Sequence, residues 1–154
     1  MKVSDGEFII CARSDAKGVL GLDECINRSK AYIDAGADMI FPEGLHTAEE
    51  FKVVGQALKA HKKDIILLAN MTEFGKTPYM HIDTFKEYGY NCVIYPVSTL
   101  RVAMKACDEF FSDLIKNGTQ EKFADRMQTR KELYELLRYT PGEEWHYPEN
   151  ERKK

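Results

Sequence analysis

Four near-continuous apolar runs, each followed by a helical pattern, restrict this chain more than any other feature. The runs are Phe8–Ala12 (FIICA), Asp38–Phe41 (DMIF), Ile65–Ala69 (IILLA) and Cys92–Tyr95 (CVIY). Strands with one wet face alternate apolar and polar residues, whereas continuous runs suit parallel strands covered on both faces. The segments between them read as helices. Leu22–Ala35 turns Cys25, Ile26, Ala31 and Ile33 inward and stops at Gly36. Thr47–His61 opens with a capping box, Thr47 and Glu50, and stacks Phe51, Val54 and Leu58 on one face. His81–Tyr88 closes at Gly89, and Ser98–Asn117 ends at Gly118 with Leu100, Met104, Phe111 and Ile115 expected to be buried. Four strand-helix alternations predict an α/β fold with a parallel sheet. Run ends near 13, 43, 70 and 96 give units of about 26–30 residues. That length fits a (β/α)8 barrel and equally fits half of a doubly wound sheet.

The remaining sequence narrows the function classes. A chain of 154 residues, 44% hydrophobic and 31% charged, can form one ordinary core. A net charge of −3 predicts no general attraction to nucleic acid or acidic lipid. No apolar run approaches the roughly 18 residues that span a membrane, and no signal-peptide pattern opens the chain, so a cytoplasmic protein is expected. Cys11, Cys25, Cys92 and Cys107 show no metal-ligand spacing and are expected to be reduced core thiols. His46, His61, His81 and His146 show no HxH or HExxH pattern and read as surface or capping residues. Neither GxGxxG nor GxxxxGK[ST] occurs, which counts against a nucleotide-phosphate loop.

The apolar runs all exit into polar groups. Arg13-Ser14-Asp15 follows the first, Glu43 the second, Asn70 and Thr72 the third, and Ser98 then Arg101 the fourth. In parallel α/β folds the C-terminal strand ends share one rim, where ligands bind. Two arginines pair bidentately with carboxylates, and Asn and Thr add neutral hydrogen bonds. This set suits a substrate with several carboxylates, while Glu43 suits a metal's shell or a water.

Five stretches carry a resemblance over essentially the whole chain, in order. CARSDA (11–16), MIFPEG (39–44), LANMTEFGKTP (68–78), VIYPVSTLR (93–101) and MQTRKELYELL (127–137) resemble consecutive motifs of the 2-methylisocitrate lyases, within the isocitrate lyase/phosphoenolpyruvate mutase superfamily. The resemblance implies half of a (β/α)8 TIM-type barrel, strands five to eight, with a C-terminal helical extension. The expected organisation is four βα units over 1–118, the extension over 119–140 and a polar, flexible tail over 141–154.

The resemblance also implies a reaction: magnesium-dependent cleavage of 2-methylisocitrate to pyruvate and succinate, within the methylcitrate cycle of propionate catabolism. It implies that Arg13 donates to the pyruvate-half carboxylate and that Glu43 holds the waters of the metal. Asn70, Met71, Thr72 and Arg101 are implied to grip the succinate half, with Arg130 a further contact from the tail. Phe41 and Pro96 are implied to shape the pocket that accepts the extra methyl group. The family's metal-binding aspartates, and the cysteine of its Lys-Lys-Cys-Gly-His loop, have no counterpart in these 154 residues. The chain alone is therefore expected to be inactive, with no catalytic residue and no direct metal ligand of its own. Exposed strand edges predict a homo-oligomer. A non-catalytic, carboxylate-binding or self-assembling half-barrel module remains an alternative, as does a fragment of a related oxaloacetate decarboxylase or phosphonopyruvate enzyme.

Overall fold

The computed structural model describes residues 7–144. His146 and the end of the polar tail, 145–154, lie outside the described residues. The elements run β1 (Cys11–Ser14), α1 (Lys17–Leu20), α2 (Leu22–Asp34), β2 (Met39–Pro42), α3 (Ala48–His61), β3 (Ile66–Asn70), α4 (Ile82–Glu87), β4 (Cys92–Ile94) and α5 (Ser98–Asn117). A 3-10 turn at Glu121–Arg126 and α6 (Arg130–Leu137) follow. Strands β1 to β4 are parallel and adjacent in chain order, so the α/β reading with a parallel sheet holds. The chain divides into two compact units with the break after Ala103, inside α5.

The first unit contains the sheet. Strand residues alternate in burial: Ile40, Pro42, Leu67 and Ala69 are buried, whereas Met39, Phe41, Ile66, Leu68 and Asn70 are half-buried. The buried face joins the core with Ile26 and Ile33 of α2, and Phe51, Val54 and Leu58 of α3. Phe51, Phe85 and Tyr90 meet edge to face, with ring centroids 5.2–5.9 Å apart, locking α4 onto α3. Continuous apolar runs had predicted cover on both faces; here the second face is only partly covered.

Several expectations are corrected. The first strand is Cys11–Ser14 rather than Phe8–Ala12, and Phe8 and Ile9 are exposed. The partner strand sets that frame: β2 begins at Met39, and the Asp38 carboxylate takes the Ile10 N–H at 2.9 Å, ahead of the first paired residue. Ala31 is exposed on α2. Leu100, Met104, Phe111 and Ile115 are all more than half exposed. Their spacing does make an apolar stripe on α5, but only a covering surface buries such a stripe. Of the four cysteines only Cys25 is buried; Cys92 is intermediate, and Cys11 and Cys107 are exposed. Cys11 lies with Arg13 on the exposed face of β1, opposite half-buried Ala12 and buried Ser14.

The helix starts behave as their sequences dictate. Thr47 caps α3 by accepting the Glu50 N–H at 3.1 Å, and His81 caps α4 by accepting that of Asp83. In the second unit, Thr129 and Glu132 form a reciprocal capping box on α6. Glu50 does not complete the α3 box at Thr47 alone: its carboxylate accepts the His46 N–H at 2.5 Å and pairs with Lys17 at 3.1 Å. Burial pushes the Glu50 carboxyl up, but the His46 N–H, Lys17 and the Thr47 N–H outweigh it and leave it below its ordinary value. A carboxyl depressed on folding stabilises the fold above its unfolded pKa of about 4.3, and that stability disappears as pH falls through the folded value. Glu50→Gln is therefore expected to cost about 1 kcal/mol at pH 7, a cost that shrinks as pH falls below the unfolded pKa. Urea midpoints at pH 7 and pH 3 check this; an equal gap at both would contradict it.

Candidate active site

The rim is assembled from the C-terminal ends of neighbouring strands. Arg13 lies on the open face of β1, where β1 pairs with β2 at Arg13 and Phe41. Its guanidinium covers the Phe41 ring at 5.2 Å. Its Nε and Nη2 donate to the two carboxylate oxygens of Asp15 at 2.9 and 2.7 Å, and Nη2 lies 3.9 Å from Glu43 Oε2. The Arg13 hydrogen bond holds the Asp15 carboxyl below its usual range. Glu43, just past β2, accepts from the Asn70 side-chain amide at 3.5 Å, and Thr72 donates its hydroxyl proton to Asn70 Oδ1 at 2.7 Å. Arg13, Glu43, Asn70 and Thr72 thus form one connected polar group across three strand ends. Both faces of the Asn70 amide are fixed by it.

A second group adjoins it in sequence. The loop after β3 places Glu73 where its carboxylate accepts from the Ser98 hydroxyl and, at 2.7 Å, from Arg101 Nη1; the same Nη1 donates to the Glu73 carbonyl at 2.8 Å. Phe74 takes a left-handed backbone conformation, φ 62°, and its ring lies 5.2 Å beneath the Arg101 guanidinium. Thr77 returns the loop to the β2 side by donating to the Leu45 carbonyl at 2.7 Å. Between the two loops lies a cavity of about 170 Å3, lined among others by Glu43, His46, Asn70, Thr72 and Lys76.

The structure treats the expected residues unequally. Phe41 lies under Arg13, and Pro96 is exposed just past β4. Met71 is buried among the core residues, so its side chain does not join Asn70 and Thr72. Arg130 belongs to the second unit, as the first residue of α6. Asp15, Glu73 and Lys76 are additions. Asp15 and Glu73 stand beside the predicted residues in the sequence, but nothing there says which arginine each one meets. Among the described residues, no three His, Cys, Asp or Glu side chains gather as a metal site. Glu43, occupied by Asn70 and close to Arg13, suits holding a metal's water rather than the ion.

Comparisons with known proteins give the chain its family. Residues 1–115 match the family model described as phosphoenolpyruvate phosphomutase. The chain is 54% identical over 135 residues to a "probable 2-methylisocitrate lyase 1" of Corynebacterium glutamicum, covering 88% of this chain and 43% of that protein. It is 47% identical over 139 residues to a 2-methylisocitrate lyase of Bacillus subtilis, covering 90% and 44%. Among solved structures, a 2,3-dimethylmalate lyase superposes with a TM-score of 0.72 at 32% identity, covering 83% of this chain and 43% of that one. A phosphonopyruvate hydrolase crystallised with oxalate and Mg++ gives a TM-score of 0.69 at 26% identity, covering 86% and 46%. The chain spans less than half the length of these relatives.

Proposed function

Because the chain belongs to the phosphoenolpyruvate phosphomutase family, within the isocitrate lyase superfamily, we propose that its rim is the carboxylate-gripping part of a 2-methylisocitrate lyase site. The observation that carries this reading is the connected group of Arg13, Glu43, Asn70 and Thr72 on adjacent strand ends. In the complete site, loss of the substrate hydroxyl proton breaks the carbon–carbon bond, leaving pyruvate and a succinate carbanion that then takes up a proton. Arg13 serves the pyruvate-half carboxylate through the donors that Asp15 leaves over. Asn70, Thr72 and Arg101 serve the succinate half, where negative charge develops, and fixed donors aimed at developing charge lower the barrier. Phe41 and Pro96 bound the methyl pocket, and Met71 supports the strand end from the core.

The finer architecture belongs to the same proposal. The parallel order β1 to β4 supports strands five to eight of a (β/α)8 barrel, with four βα units over 1–118 and a helical extension over 119–140. Exposed apolar residues in each unit, Phe8 and Ile9 in the first and Phe111 and Ile115 in the second, support a homo-oligomer. No helix among the described residues is long and apolar enough to cross a membrane, and the four unpaired cysteines suit a reducing, cytoplasmic setting. Magnesium fits this reading through waters held by Glu43, since the described residues do not assemble direct ligands.

The chain is expected to bind without turning over. Titrating 15N-labelled chain with succinate should move the signals of Asn70, Thr72 and Arg101 together, while magnesium and 2-methylisocitrate release no pyruvate above background. Shifts scattered over the surface, or turnover abolished by Arg13→Ala, would each contradict the reading.

A further inference from the structure

The least exposed arginine–carboxylate pair of the rim links Arg101 to Glu73, with relative side-chain exposures of 40% and 24%. Four features converge on it. Nη1 of Arg101 spends its donors on the carboxylate and the carbonyl of one residue, Glu73. The second carboxylate oxygen is taken by the Ser98 hydroxyl, one helical turn before Arg101 at the start of α5. Phe74, in a backbone conformation that non-glycine residues seldom adopt, sets its ring against the guanidinium. The Ser98 hydroxyl, the Glu73 backbone N–H and Arg101 together hold the Glu73 carboxyl below its usual range, so it is ionised throughout the neutral pH region.

The two rim arginines are held differently. Asp15 takes Nε and Nη2 of Arg13, the edge whose parallel N–H groups match a carboxylate. Glu73 takes Nη1 of Arg101 alone and leaves the Nε/Nη2 edge outside the pair. An arginine side chain has many rotamers, and one clamped at a single nitrogen has lost much of that freedom before a ligand arrives.

We propose that Glu73 is a positioning residue: with Ser98 and Phe74 it fixes Arg101 so that the Nε/Nη2 edge receives a substrate carboxylate. The assignment rests on the lyase reading above, in which Arg101 grips the succinate half. Glu73 touches no substrate; it acts through Arg101.

The test uses the full chain, succinate as probe and two readouts. Glu73→Gln removes the charge while keeping the side chain's size, and Ser98→Ala loosens Glu73 from the other side. Each variant is compared with the parent and with Arg101→Ala for succinate affinity, melting temperature and the Arg101 Nε–Hε signal without ligand. The expected result for Glu73→Gln is a roughly tenfold weaker affinity, an unchanged melting temperature and an Arg101 signal that broadens or moves to its free position. Ser98→Ala should shift both readouts in the same direction, less far. If Arg101→Ala abolishes binding while both variants bind as the parent does, the positioning role is overturned and the lyase reading stands. If the parent does not bind succinate, or Arg101→Ala binds as the parent does, Arg101 is no gripping group and both are overturned. A variant that weakens binding only in proportion to a lowered melting temperature also overturns the positioning role.

Discussion

Arg101→Ala is expected to lower kcat/KM for 2-methylisocitrate by roughly 100- to 1000-fold when this chain replaces the matching 139 residues of the Bacillus subtilis 2-methylisocitrate lyase. The size follows from what an arginine supplies at such a site. Its two parallel N–H groups make charge-assisted hydrogen bonds to a carboxylate, stronger than neutral ones and fixed in direction. In the proposed cleavage the charge grows on the succinate half, so the interaction strengthens between bound substrate and transition state, and kcat falls. The same contact exists at rest, so KM rises as well. Arg101→Lys should recover only part of the loss, because an ammonium is a point charge without the fork. Steady-state kinetics on folded, purified variants measure this. A variant retaining more than about a third of the parent kcat/KM would remove Arg101 from the site.

Gly55→Ala is expected to unfold the first unit or to cost about 3 kcal/mol or more. Gly55 sits in the middle of α3, where alanine is ordinarily better by about 1 kcal/mol. Here a Cβ would overlap the Tyr88 carbonyl oxygen and meet the Tyr88 carbonyl carbon at 3.1 Å, with Tyr90 Cε2 at 3.3 Å. The first two are backbone atoms, and they belong to the turn that carries the chain from α4 into β4. That turn is pinned on its far side by Tyr90, packed edge to face against Phe51 and Phe85. Relief therefore requires α3 to lift from the core or β4 to leave the sheet edge. Close packing makes either move expensive, and the overlap outweighs the helix propensity gained. Thermal and urea melts check the outcome; a midpoint at or above that of the parent would show that helix and turn can separate cheaply.

The sequence displays the fold unevenly, for reasons that individual residues make plain. Ile40, Leu67 and Ala69 are legible because their runs are long, apolar and bounded by turns, and strand burial alone fixes such runs. The first strand is misplaced by three residues because Phe8 and Ile9 carry the same apolar signature as Cys11 and Ala12. What selects among them is pairing to Met39, a partner remote in sequence. The helix α5 shows the limit of periodicity: Leu100, Met104, Phe111 and Ile115 mark an apolar stripe correctly, yet a stripe says nothing about what lies over it.

The site divides along the same line. Arg13, Glu43, Asn70 and Thr72 are found by asking which polar groups end an apolar run, since parallel strands bring those ends together. Their mutual contacts follow from strand adjacency. Met71 escapes the same rule, because side chains alternate across a strand and its neighbour Asn70 already takes the open face. Asp15 and Glu73 are visible as charges but not as partners. Pairing Glu73 with Arg101 and Ser98 depends on a left-handed turn at Phe74 that no residue type there announces.

This rim is proposed to supply half of a 2-methylisocitrate lyase site. The most direct measurement is pyruvate release from 2-methylisocitrate by the Bacillus subtilis enzyme carrying this chain in place of its matching segment, with magnesium present. Turnover by the substituted enzyme is expected, as is its loss on Arg13→Ala or Arg101→Ala. A substituted enzyme that folds and melts cooperatively but releases no pyruvate would contradict it.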